Sequence, residues 1–228
     1  ESAYRAALAL DPEYPEPNNN LGVILIARGH WGEAESLLRR SVAARIDFYE
    51  GHVNFADVLQ KTGKLHEALY HARRAAALRP DSAVAHERVA SILNSMGRMA
   101  EAVQVLRDHV ELAGDYGPFW TTMGVSLQCL GRYAEADVAH AKAVALAPDA
   151  FLPRMNHLYF SNYLSASAAD LWRRHSDFGN WLRRQIGQAN ADFAAIDRNP
   201  ERRLRIDFVS GDFRRHSIAY FLPAPLHA

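Results

Sequence analysis

The sequence predicts an all-α stack of antiparallel helix pairs followed by the first strand of an α/β lobe. Two observations carry the stack: glycines 29, 63, 97 and 131, and alanines 34, 68, 102 and 136, each recur at a step of 34 residues. A third carries the strand, because helical hydrophobic spacing gives way to alternation after residue 203. From Pro15 onward no insertion or deletion interrupts the step, so one geometry governs the units 15–48, 49–82, 83–116 and 117–150.

A step of 34 residues is the tetratricopeptide period, two helices and a turn per unit. Numbering each unit from its first residue, position seven is large (Leu21, Phe55, Val89, Met123) and position eight small (Gly22, Ala56, Ala90, Gly124). Large beside small lets the two helices of a unit approach closely. Position 20 is Ala34, Ala68, Ala102 and Ala136, where a larger side chain would overpack the crossing by roughly 1–3 kcal/mol. The glycines at position 15 stand where a left-handed residue ends the first helix without a Cβ penalty. Glu33, Glu67, Glu101 and Glu135 then open the second helix at its positive dipole end. Residues 1–14 read as the end of a truncated unit, with Tyr4, Ala7 and Pro12 at positions 24, 27 and 32, and further units are expected upstream.

Composition narrows the function classes. Lys and Arg balance Asp and Glu at 26 each, so no net field draws nucleic acid or an anionic membrane. The single Cys129 allows neither an internal disulfide nor a cysteine-based zinc site, which suits a reducing, cytoplasmic compartment. No metal and no cofactor is expected. No run of about 18 apolar residues suggests a membrane span. The start inside a helix, without an initiator Met, leads to the expectation of a missing N-terminal extension.

In such a stack the first helices line the concave face. Position six reads Asn20, Asn54, Arg88, Thr122 and, one period further, Asn156. Asparagine both donates and accepts, so Asn20, Asn54 and Asn156 form a candidate ladder for an extended acceptor peptide, against the alternative of solvated or turn-capping residues. A lysine-based clamp for a peptide carboxylate is disfavoured, because position five is Asn19, Val53, Glu87 and Thr121, leaving only Arg88 and Asn54 suited to it.

After the repeats, residues 151–187 read as capping or transition helices. One is expected over 151–164 and a second after Ser167, with Leu171, Trp172, His175, Phe178, Trp181, Leu182 and Ile186 forming an apolar stripe. Residues 188–203 are polar and read as a linker. Over 204–228, Leu204, Ile206 and Phe208 alternate with Arg205 and Asp207, then a turn at Ser210–Asp212 leads to a helix capped by Ser217. Strand, glycine loop and helix start open a Rossmann-like unit, whose sites lie at the carboxyl ends of strands. His216 falls in that loop.

The segment FVSGDFRRHS, with repeats leading directly into it, resembles the start of the catalytic region of the protein O-linked N-acetylglucosamine transferase family. The stretch from Asn156 through Asn162, Tyr163 and Leu164 to Trp172 resembles the segment preceding that region in bacterial members. The resemblance implies an inverting, metal-independent enzyme of the two-lobed GT-B type, moving N-acetylglucosamine from UDP-GlcNAc to Ser or Thr hydroxyls. It places His216 beside donor and acceptor, as general base or positioning residue, and Asn20, Asn54 and Asn156 against the acceptor protein. Arg88 and Thr122 interrupt the family's asparagine row. The resemblance further implies a second lobe, holding the UDP-sugar contacts, in sequence following Ala228, so the chain is expected to be an inactive fragment of its parent. The alternative from a different class is a non-catalytic scaffold whose repeats bind partner peptides.

Overall fold

A computed structural model describes residues 1–164 and 167–186. The expected linker, the strand over 204–209, its loop with His216 and the helix capped by Ser217 lie outside the described residues. The chain divides at Arg183/Arg184, and of the second part only the end of the last helix is described.

The described residues hold eleven α-helices and no strand. A short α1 (Ser2–Leu10) precedes four helix pairs: α2 (Pro15–Ala27) with α3 (Trp31–Ala44), α4 (Tyr49–Lys61) with α5 (Leu65–Leu78), α6 (Ala83–Ser95) with α7 (Met99–Asp108), and α8 (Gly117–Cys129) with α9 (Tyr133–Leu146). Then come α10 (Phe151–Ser161) and α11 (Ala168–Ile186). Each first helix packs on its own partner, on the second helix of the unit before it, and on the neighbouring first helices. Second helices of adjacent units barely meet. First helices therefore sit on the tighter, inner side of the stack.

The turn chemistry is written into the sequence and built as written. Gly29, Gly63, Gly97 and Gly131 have φ between 73° and 79°, the left-handed region. In each, the following N–H reaches back to the helix carbonyl five residues earlier (His30→Leu25, Lys64→Leu59, Arg98→Leu93, Arg132→Leu127, 2.8–2.9 Å), satisfying end carbonyls that otherwise lack a partner. The small residues at position eight are equally literal. A Cβ on Gly22 would stand 2.8 Å from Leu38, and one on Gly124 only 2.5 Å from the His140 ring. The four crossing alanines, 34, 68, 102 and 136, are fully buried.

The glutamates expected to answer the helix dipole do more. Glu67 takes Arg39 and Glu135 takes Arg107, each arginine coming from the preceding second helix at 2.5–2.6 Å, and Arg5 approaches Glu33 in the same way. These pairs staple adjacent second helices across an exposed surface, where solvent screens them and each adds little to stability.

Three features depart from the sequence expectation. The second helix of unit 83–116 stops at Asp108 and continues as a 3-10 turn, Val110–Leu112, although the period is intact. Position 27, serine or alanine in the other units (Ser41, Ala75, Ala143), is His109 here, and its ring stacks on His86 at 3.5 Å between centroids. Helix α10 ends at Ser161 rather than at 164, with Tyr163 and Leu164 donating to carbonyls three residues back in a closing turn. In α11, begun as expected by the Ser167 hydroxyl accepting from the Asp170 N–H, the stripe is only half buried. Trp181 is 4% exposed against Phe178 and Phe151, whereas Trp172 is 73% exposed and His175 is also outside.

Candidate functional site

The inner face is built by α2, α4, α6, α8 and, in the same register, α10. Its side chains form a hydrogen-bonded seam between neighbouring first helices. Asn54 Nδ2 donates to Asn19 Oδ1 at 2.8 Å, Asn19 Nδ2 to Asn20 Oδ1 at 3.1 Å, and Asn20 Nδ2 reaches the Tyr4 hydroxyl at 3.4 Å. Two units on, Thr122 Oγ1 donates to Glu87 Oε1 at 2.7 Å, again position six to position five of the unit before. Arg88 instead pairs with Asp57 at 2.9 Å. Further along, Gln60 Nε2 donates to Ser95 Oγ at 2.8 Å and Asn94 Nδ2 to Ser126 Oγ at 2.7 Å.

Of the residues singled out from sequence, Asn20 and Asn54 are thus joined in one chain of amides, half-buried on α2 and α4. Asn156 lies half-buried on α10, apart from that chain. Because Asn54 commits one N–H of two and Asn20 one lone pair and one N–H, both retain capacity toward a bound chain. Arg88 is held by Asp57, which removes the cation a carboxylate clamp would use.

Electrostatically the centre of the face is Glu87. Burial pushes its carboxyl above the usual carboxylate range, while the Arg88 charge and the Thr122 hydrogen bond pull the other way. Tyr116 nearby is pushed up to about 12, first by burial and then by the Glu87 charge. Neither Asp57 nor Glu87 was singled out by period alone, since neither position repeats its chemistry. A further device does repeat. Position four carries Asn18, His52, His86, Trp120 and Arg154, all N–H donors, and four of the five donate to the carbonyl six residues earlier, in the inter-unit turn: Asn18→Pro12 (2.9 Å), His52→Ile46 (2.9 Å), His86→Pro80 (2.8 Å) and Arg154→Pro148. Donor capacity at a fixed step is the signal that would have revealed it.

Among the described residues no group of three or more His, Cys, Asp or Glu side chains could hold a metal ion, and no helix is long and apolar enough to cross a membrane.

Comparison with known proteins agrees with this geometry. The family model for the tetratricopeptide repeat matches residues 19–47. Among solved structures, the fold is similar to TTC0263, a thermophilic TPR protein in Thermus thermophilus, with TM-score 0.64 and 19% identity over 79% of this chain and 94% of that one. It is also similar to YrrB, a TPR protein with an unusual peptide-binding site, with TM-score 0.54 and 14% identity over 80% of this chain and 91% of that one. The chain therefore carries tetratricopeptide repeats.

Two curated relatives are similar over a shorter stretch. Both are probable UDP-N-acetylglucosamine--peptide N-acetylglucosaminyltransferases named SPINDLY, that of Petunia hybrida 38% identical over 80 residues and that of Arabidopsis thaliana 33% identical over 82. The match covers 35% of this chain and 8% of each relative.

Proposed function

We propose that this chain is the repeat segment of a protein glycosyltransferase that moves N-acetylglucosamine from UDP-GlcNAc to serine or threonine hydroxyls, its inner face holding the acceptor protein. The observation that carries the protein-binding half is the seam of half-buried amides on α2 and α4, with unspent donors and acceptors turned along one face. An extended peptide offers the matching alternation of N–H and C=O groups. The transfer half is supported by the similarity to the two SPINDLY proteins and by the resemblance carried by FVSGDFRRHS. In that reading His216 takes the proton of the attacking hydroxyl or positions it, a role worth roughly 10²–10⁴ in rate.

The test is transfer of labelled N-acetylglucosamine from UDP-GlcNAc by the full-length protein, wild type against His216→Ala. A fall of about 10² or more in a variant that folds as wild type supports the reading. Transfer unchanged by His216→Ala removes the role given to that residue. A second reading, a scaffold without catalysis, is favoured by the family model, which describes only the repeat. Absence of transfer across peptides and lysates, with partner proteins still captured, establishes that reading instead.

A further inference from the structure

Histidine recurs in the interior of this array, always between helices. In unit 49–82, His52 on α4 and His71 on α5 are buried with their Nδ1 atoms 2.8 Å apart. Since His52 Nε2 donates to the Ile46 carbonyl, its Nδ1 is the acceptor and His71 Nδ1 carries the single shared proton. With both rings charged, two N–H groups would stand against each other across 2.8 Å. In unit 83–116, buried His86 on α6 lies flat on half-buried His109 at 3.5 Å and 16°, and two charged rings cannot stay stacked without their charges facing each other at close range.

The charges around these rings do not offset a second proton. His71 faces Glu67 on its own helix and Arg39 from α3, but that carboxylate already holds the arginine at 2.5 Å. His52 faces Arg74 from α5, and around His86 the Pro80 carbonyl and His109 are the groups that act on its charge. In unit 117–150, His140 is fully buried with neither nitrogen hydrogen-bonded, near His157, which shares Asp137 with Arg174. Burial pushes His71 and His140 down to about 4, and lowers His52, His86 and His157 as well.

Unit 15–48 lacks this feature. Its counterparts of His52, His71 and His109 are Asn18, Leu37 and Ser41. Asn18 makes the same bond to the preceding turn, to the Pro12 carbonyl at 2.9 Å, without a titratable group.

We propose that units 49–82 and 83–116 form an acid-sensitive section of the array, whose helix pairs part when both rings of the His52–His71 and His86–His109 pairs become charged, while unit 15–48 stays folded. The direction follows from linkage. His52, His71 and His86 bind a proton less readily folded than unfolded, so their contribution to stability is complete above pH about 6.5 and falls as pH drops from there, for His71 toward about 4. A repeat array can lose one section without the rest, because each unit contacts only its neighbours. If partner proteins lie along α4 and α6, as proposed above, their release follows the same step.

The test is hydrogen exchange by mass spectrometry on the 228-residue chain at pH 7.5 and 5.5, corrected for intrinsic exchange rates. At pH 5.5, peptides from α4 to α7 are expected to lose at least about tenfold more protection than those from α2 and α3. The His52→Asn/His86→Asn chain, copying Asn18, should retain it. His71→Leu, copying Leu37, removes the shared proton independently and should protect unit 49–82 if the double variant fails to fold at pH 7.5. Equal loss in all units, or variants as acid-sensitive as wild type, overturns the proposal.

Discussion

Gly124→Ala is the substitution whose outcome the packing fixes most tightly. In a helix interior the change favours folding by about 1 kcal/mol, because alanine has less backbone entropy to lose. Here the added methyl would meet three atoms of the His140 ring at 2.5, 2.6 and 2.8 Å. That ring has 0% exposure and stacks on Phe160 at 5.3 Å, so it cannot swing into solvent. Overpacking of a held ring lies toward the upper part of the range of about 1–3 kcal/mol, which leaves a net loss of about 1–2 kcal/mol. For a domain of this size that lowers Tm by roughly 2–8 °C. The control is built into the chain, since unit 49–82 uses Ala56 with Ala72 at the same two positions. His140→Ala with Gly124→Ala recreates that pair, and urea denaturation of the four chains gives a double-mutant cycle with an expected favourable coupling of at least about 1 kcal/mol. A Gly124→Ala chain more stable than wild type, additive with His140→Ala, would refute the close approach of α8 and α9.

Urea denaturation and amide exchange check three further substitutions. Gly63→Ala, at φ 79° with nothing near its Cβ, should cost about 1–2 kcal/mol through backbone strain alone, whereas Gly179→Ala, helical and equally uncrowded, should slow exchange of α11 amides. A loss of protection on Gly179→Ala would mean that α11 is not an ordinary helix there. Glu87→Gln should raise the urea midpoint at pH 8, because the buried carboxylate is charged at a cost that an amide accepting from Thr122 avoids. As the folded carboxyl binds its proton more readily than the unfolded one, the gain must shrink as pH falls toward about 4.5. A midpoint lowered at pH 8 would show that Arg88 and Thr122 outweigh the desolvation.

How far the sequence reaches differs between backbone and face. The expectations for Gly29, Gly63, Gly97 and Gly131 held because a left-handed cap is a local demand, satisfied within six residues of chain. The crossing alanines were legible because a close contact repeated four times leaves a small residue at one step. The early end of α7 beside His109 was not, since periodicity does not name His86 as the ring that His109 stacks on. Likewise Trp172 and Trp181 share one periodic stripe, and periodicity cannot say that the neighbouring helix covers just one of them.

By itself, then, the sequence determined the unit, its two helices, its turn and its spacing, all properties of short stretches of chain. The tertiary structure decided what each inner side chain meets. Asn54 bound to Asn19, Arg88 bound to Asp57, Glu87 buried beneath Thr122, and two imidazoles sharing one proton are contacts between residues 19–35 positions apart. Such partners are chosen by how helices stack, because burial and hydrogen-bond geometry depend on neighbours that periodicity does not name.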